Sequence, residues 1–135
     1  MGRQTKGVNE MKIIIRVVLG LFLLLGIASA PGFAGPEKYG QEISNRKVTA
    51  IKDILANPKA YEGKLVSIEG KIDTECPSGC WLNVKVADGN AVIYVDIGAS
   101  GFAIPQYAGK KILVEGTVII KESGPMIQGK GVEIK

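Results

Sequence analysis

Alternation of apolar and polar residues continues through most of the chain after Tyr61, and this period of two restricts the domain to strands. In the first strand Val66 and Ile68 face one side, while Ser67 and Glu69 face the other. Five strands are predicted in this way, at about 66–72, 81–86, 91–96, 111–119 and 126–134. An Asp-Gly turn at 88–89 joins the second and third strands as a hairpin. A chain with this pattern is expected to form an all-β domain.

One segment of the chain is repeated 46 residues later, which relates the first and fourth strands. YEGKLVSIEGKI at 61–72 corresponds to YAGKKILVEGTV at 107–118. Gly70 and Gly116 then occupy the same position within their strands, where glycine usually marks a bulge or a sharp bend. A small closed barrel needs such bends. We interpret the repeat as a shared structural constraint, the alternative being an internal duplication.

The residues before the strands divide into an arm and a helix. Residues 35–47 are polar, contain Pro36 and lack any period, so a flexible arm is predicted there. A short helix follows at 48–55, where apolar residues recur at helical spacing and Thr49 is placed to cap the first turn. Asn57-Pro58 is expected to end this helix, because the residue before proline is disfavoured in the helical region. The folded domain is therefore predicted to span 48–135.

Several short motifs resemble those of exported bacterial OB-fold proteins, which are often described as nucleic-acid-binding-like and are uncharacterised. The matching runs are ILANP at 54–58, YEGKLV at 61–66, EGKI at 69–72 and CPSGCW at 76–81. The resemblance implies a five-stranded OB-fold Greek-key barrel with a short N-terminal helix. These are mostly turn and core residues, so they specify the fold better than the function.

The first 34 residues are predicted to be an export signal with a polar N-terminal extension. Basic residues precede an apolar run at 17–30, which is shorter than the roughly 20 residues needed to cross a bilayer. Pro31 disfavours the nearer cleavage site, so cleavage is expected to leave Gly35 as the first residue. A periplasmic or secreted location follows, with a membrane association only if the leader stays uncleaved.

Removal of this leader would change the charge of the protein. The whole chain has a formal net charge of +4, but 13 basic and 12 acidic residues follow Ala34, which leaves +1. Arg46 is the single arginine among them. A nucleic-acid-binding domain concentrates lysine and arginine on one face. The composition therefore argues against DNA or RNA as a partner and favours a small ligand or an exported protein partner.

The absence of histidine from the chain argues against most classes of hydrolase. Imidazole is the usual base in Ser-His-Asp and Cys-His sites and a common ligand in zinc enzymes. Covalent haem binding is excluded for the same reason, although the haem chaperones of cytochrome c maturation are also exported OB barrels. Carboxylates occur near strand ends and turns, where solvated loops explain them: Asp73, Glu75, Asp88 and Asp96. The chain is expected not to be an enzyme, with thiol redox activity as the main alternative.

Cys76 and Cys80 are the strongest candidates in the sequence for a chemical role. Pro77-Ser78-Gly79 between them is turn-forming and can bring the two sulfurs together. A structural disulfide is the first interpretation, because an exported protein meets an oxidising environment. A soft metal ion such as Cu(I), with Met126 as a third ligand, is the second. A redox-active pair is the third. No cofactor is otherwise indicated.

A ligand-binding face is predicted on the second and third strands. Alternation places Trp81, Asn83 and Lys85 opposite the core, and Tyr94 falls on the same side of the next strand. This surface carries ligands in many OB-folds, and aromatic side chains there stack on bases or sugars. Alternatively, Trp81 packs over the disulfide or under the N-terminal helix. The sequence thus predicts a non-enzymatic exported binding module, with a thiol–disulfide redox protein as the alternative.

Overall fold

A computed structural model describes residues 35–135, and the predicted signal peptide at 1–34 lies outside the described residues. The chain forms six strands, two short helices and one 3₁₀ turn in this part. The strands are β1 (Glu37–Gly40), β2 (Leu65–Glu75), β3 (Trp81–Lys85), β4 (Val92–Asp96), β5 (Lys111–Lys121) and β6 (Gly124–Ile134). The helices are α1 (Ile51–Ala56) and α2 (Pro58–Tyr61), and the 3₁₀ turn is Gly98–Ser100.

Five of the strands close into a barrel. The order around it is β2, β3, β4, β6, β5 and back to β2, with β4 and β6 parallel and the other neighbours antiparallel. The last strand therefore lies between the third and fourth barrel strands, which is the Greek-key order of the OB-fold. The predicted all-β fold class, an OB-fold barrel preceded by a short helix, is confirmed.

Alternating residues of all five barrel strands fill the interior, as the sequence pattern predicts. Ile68, Val84, Val95, Val114 and Ile127 have no exposed surface. Burying one such side chain stabilises the fold by about 1.5–3 kcal/mol, so this core accounts for most of the driving force of folding. Two strands are longer than predicted: β2 continues to Glu75, and β5 continues to Lys121.

Gly70 and Gly116, the mid-strand glycines of the repeated segment, each lie against the backbone of a neighbouring strand. A Cβ atom at Gly116 would overlap the carbonyl oxygen of Gln128, and one at Gly70 would overlap that of Lys85. The register of β5 against β6 also shifts between Glu115 and Gly116, which is the expected signature of a bulge. Glycine is therefore required at these positions for barrel closure.

The helical region differs in detail from its prediction. Helix α1 begins at Ile51 with Ala50 as N-cap and no side-chain cap, so Thr49 does not have the predicted capping role. The backbone N–H of Thr49 donates instead to the carbonyl of Ser67 on β2. Asn57 interrupts the helix as expected, but α2 begins immediately at Pro58, which suits the first turn of a helix. No helix in the described part of the chain has the length and hydropathy needed to cross a membrane.

Residues 35–47 differ from the predicted flexible arm. Strand β1 pairs antiparallel with β6, from Glu37 opposite Ile134 to Gly40 opposite Gly131. Further along, Ile43 is only 5% exposed and thus adds to the buried apolar surface. The segment lacks period-2 alternation because it does not form a face of the barrel. It contributes a short edge strand and individual residues, such as Ile43, that pack on the barrel.

Two buried carboxylates hold this N-terminal segment on the barrel. Glu115 accepts hydrogen bonds from the backbone N–H groups of Ser44 and Asn45, at 3.1 and 2.6 Å. Glu133 accepts two from the guanidinium of Arg46, at 2.7 and 3.1 Å. The hydrogen bonds from Arg46 hold the pKa of Glu133 below its usual value. Arg46, the last arginine of the chain, therefore has a structural role.

Candidate functional site

The cysteines lie in the loop between β2 and β3, and backbone hydrogen bonds fix that loop on both sides. Cys76 N–H donates to the carbonyl of Trp81 at 2.9 Å, and the carbonyl of Cys80 accepts from Ile97 and Gly98. Gly79 has a φ of +74° and packs so closely on Ile104 that a Cβ atom would overlap its carbonyl. The loop is therefore positioned by tertiary contacts that a turn-forming sequence alone does not supply.

Both cysteines are free thiols in this structure, and their side chains touch. The Sγ atoms of Cys76 and Cys80 are 3.1 Å apart, and the hydroxyl of Ser78 is 2.9 Å from Cys76 Sγ. Hydrogen bonding from Ser78, and then from Cys80, lowers the pKa of Cys76 to about 7. A substantial fraction of Cys76 is therefore thiolate at neutral pH, the form that reacts with disulfides and binds soft metals.

The sulfurs of Cys76 and Cys80 are the metal-binding atoms that the cysteine loop brings together. Residues 35–135 contain no group of three or more His, Cys, Asp and Glu side chains placed to hold a metal ion. Met126, the third ligand that the sequence suggested, is buried on β6 in register with Tyr94. The two thiols fit a soft ion such as Cu(I) as a two-sulfur site.

Three of the four residues of the predicted ligand face lie together on the outside of the barrel, while Lys85 lies further along β3, opposite Lys71. Trp81 and Asn83 alternate with buried residues of β3, and Tyr94 lies directly opposite Asn83 on β4. The rings of Trp81 and Tyr94 are stacked, with centroids 5.7 Å apart and an interplanar angle of 29°. Trp81 is half-buried in this stack, while Tyr94 is 38% exposed. A flat aromatic surface is thus open to solvent beside the cysteine loop.

Polar side chains surround the stack. Asn83 donates to the hydroxyl of Thr74 at 2.8 Å, and Asp96 lies opposite Trp81 in the β3–β4 register. Gln128 follows opposite Asp96 on β6. Burial, and then the charge of Asp96, raise the pKa of Tyr94 above its usual value. The face therefore combines an aromatic platform with several hydrogen-bonding groups.

Two of these polar residues, Thr74 and Gln128, were not predicted from the sequence. Thr74 reaches the face because β2 has a register shift between Ile72 and Thr74. Gln128 reaches it because β6 lies parallel to β4, a pairing between strands that are far apart in the chain. The OB strand order would have indicated Gln128, but no sequence signal indicates the shift at Thr74.

Of the four carboxylates noted in the sequence, Glu75 and Asp96 hold neighbouring loops, and Asp73 and Asp88 are exposed. Glu75 accepts hydrogen bonds from the backbone N–H groups of Tyr107 and Ala108, both at 2.8 Å. Asp96 accepts one from Ala99 at 3.3 Å, at the start of the 3₁₀ turn. Asp88 lies in the β3–β4 turn and is exposed. These contacts agree with the interpretation of the carboxylates as turn and loop residues.

Comparisons with known proteins give a likeness of structure alone. No protein-family model matches the chain, and no curated protein matches it. Twelve chains of solved structures are similar to it. One is the structure of the hypothetical protein ygiW from E. coli, with 19% sequence identity and a TM-score of 0.48. The match covers 72% of this chain and 100% of that one. The fold assignment rests on the strand order of the chain itself.

Proposed function

We propose that the protein is an exported, non-enzymatic binding module that holds its ligand on the outer face of β3 and β4. The observation that supports this is the stack of Trp81 on Tyr94, in which Trp81 is half-buried and Tyr94 is 38% exposed. Exposed aromatic side chains of this size are usually retained for recognition, because their burial elsewhere would stabilise the fold. The cysteine loop borders this face in the position where OB-folds use the loop between their first two strands to bind ligands.

The ligand class that fits this face best is an oligosaccharide. The flat apolar side of a sugar ring stacks on aromatic rings, and its hydroxyl groups need both donors and acceptors nearby. Asn83, Asp96 and Gln128 supply these groups around the stack. A net charge of +1 after Ala34 does not favour a polyanion such as nucleic acid.

The fluorescence of Trp81 tests this proposal directly, because it is the single tryptophan of the chain. We expect chitotriose or cellotriose to shift or quench its emission in a saturable way. Tyr94→Leu keeps an apolar side chain and removes the ring, so it is expected to weaken binding about ten-fold, which corresponds to ~1.4 kcal/mol.

Lys64→Ala, an exposed change outside the face, serves as the control and is expected to bind like the original chain. The proposal fails if neither sugar changes the emission at millimolar concentration, or if Tyr94→Leu binds them equally well. Sub-micromolar binding of a single-stranded oligonucleotide in the same assay would replace the sugar with nucleic acid as the ligand.

A thiol–disulfide redox protein is the second candidate, supported by the contact between Cys76 and Cys80. The thiolate of Cys76 would attack a disulfide such as oxidised glutathione and release one glutathione thiolate. Cys80 would then displace the second glutathione thiolate and close the Cys76–Cys80 disulfide. Two electrons pass from the protein to glutathione, and the two protons of the protein thiols end on the two glutathione thiolates, which become thiols.

This candidate predicts a specific pH dependence of alkylation. With Cys80→Ser to leave one thiol, the rate of Cys76 reaction with iodoacetamide should rise with pH and reach half of its maximum near or slightly above pH 7, because the thiolate is the reactive form. Adding Ser78→Ala removes the largest cause of the lowered pKa, so the midpoint should move to higher pH. An unchanged midpoint would contradict the role of Ser78.

The reduction potential of the Cys76–Cys80 pair separates the redox candidate from a structural disulfide. A potential between about −200 and −120 mV against glutathione would support redox exchange, whereas one below about −300 mV indicates a structural disulfide. If the reduced protein instead binds one Cu(I) ion and loses it in Cys80→Ser, the two thiols form a soft-metal site.

A further inference from the structure

A cleft of about 480 Å³ lies on a different part of the surface, between the start of α1 and strands β2 and β5. Its size is within the range of small-molecule sites in proteins. Its lining includes two apolar side chains, Val48, which is 44% exposed, and Val86. The lining also includes three lysines: Lys52, Lys71 and Lys111. The cleft is therefore both apolar and basic.

Two of these lysines, Lys71 and Lys111, belong to a row that continues past the cleft to Lys85 on β3. Lys71 on β2 lies opposite Lys85 on β3 and opposite Lys111 on β5, and all three side chains are on the outer face. Like charges directly opposite each other in a sheet are destabilising. An arrangement that costs stability without benefit to the fold is typical of a binding site.

The acidic groups nearby do not neutralise this row. Within residues 35–135, none of Lys71, Lys85 and Lys111 forms an ion pair. Glu69 also lines the cleft, but its carboxylate is held by Lys135 at 3.0 Å. Asp88 is the remaining carboxylate of the lining, and its backbone carbonyl accepts a hydrogen bond from Lys52 at 3.4 Å. A surplus of positive charge thus remains around the cleft.

We propose that this cleft binds a small organic anion, a carboxylate, sulfonate or phosphate attached to an apolar body. The anionic group lies between Lys71 and Lys111 and offsets their mutual repulsion. The apolar body contacts Val48 and Val86. This site is separate from the aromatic face of β3 and β4, and it does not depend on the function proposed for that face.

The dye 8-anilinonaphthalene-1-sulfonate tests the site, because it joins a sulfonate to an apolar ring system. We expect the folded protein to bind one dye molecule with a rise in dye fluorescence. Lys71→Glu should weaken this binding about ten-fold, because it places a like charge against the sulfonate. The same variant puts opposite charges side by side in the sheet, so its midpoint of thermal unfolding should stay equal or rise. Loss of binding through unfolding is thereby distinguished from loss of the site.

Two controls complete the experiment. Lys121→Glu makes the same charge change at the far end of β5 and should leave the dye affinity within two-fold of the original. N-phenyl-1-naphthylamine, which has the same ring system without the sulfonate, should bind much more weakly than the anionic dye. Equal dye affinity in Lys71→Glu, equal losses in both variants, or equal binding of the neutral dye would each overturn the proposal. Dye fluorescence and Trp81 emission are separate readouts, so this site and the sugar face can fail independently.

Discussion

Replacing Glu115 with alanine is expected to lower the free energy of unfolding by about 2–3 kcal/mol. Glu115 is 5% exposed, and its carboxylate accepts hydrogen bonds from the backbone of both Ser44 and Asn45. Without the Glu115 carboxylate, the backbone N–H groups of the N-terminal segment lose their acceptor on β5. The segment then also loses part of its buried surface. Urea denaturation measures the change, and hydrogen exchange at residues 37–46 should show the segment released before the barrel unfolds.

Glu69→Ala is the matched control, because Glu69 occupies the same position as Glu115 in the repeated segment. Its carboxylate pairs with Lys135 at 3.0 Å, but both side chains are more than 40% exposed. Surface pairs of this kind contribute about 0–1 kcal/mol. Equal losses in the two variants would show that Glu115 does not anchor the segment.

Gly116→Ala is expected to destabilise the protein by about 3 kcal/mol or more, or to prevent folding. A Cβ atom at this position would meet the backbone carbonyl of Gln128 and the side chain of Ile127, and backbone cannot give way as a flexible side chain can. Thermal unfolding followed by circular dichroism measures the effect.

Thr117→Ala, at the next residue of β5, should change stability by less than about 1 kcal/mol, because Thr117 is only half-buried. Gly70→Ala should resemble Gly116→Ala, since its Cβ atom would meet the carbonyl of Lys85. A Gly116→Ala protein as stable as the Thr117→Ala protein would contradict the role of the glycines in barrel closure.

Much of the barrel could be predicted from the sequence, because the information is local. Alternation around Ile68 and Val84 determines which side of each strand is buried, and the Asp88-Gly89 turn determines the β3–β4 hairpin. The shared face of Trp81, Asn83 and Tyr94 follows from the same period. The N-terminal segment could not be predicted, because its anchors pair residues about 70 or more positions apart.

The candidate sites, too, could be predicted only in part. The turn sequence of the cysteine loop indicated that Cys76 and Cys80 could meet, but their contact with Ser78, and the lowered pKa of Cys76 that results, depend on the folded loop. The lysine row was not predicted from the sequence, because Lys71, Lys85 and Lys111 are neighbours only through strand pairing.

The all-β fold class of this protein follows from its sequence, because side-chain period and turn chemistry act between residues close in the chain. The roles of equivalent residues, by contrast, depend on their tertiary contacts. Glu69 and Glu115 hold the same position in two similar segments, yet one is exposed beside Lys135 and the other is buried under Ser44 and Asn45. The physical reason is that burial and charge pairing depend on which distant segment covers a strand. The order of the strands in the barrel determines which segment that is.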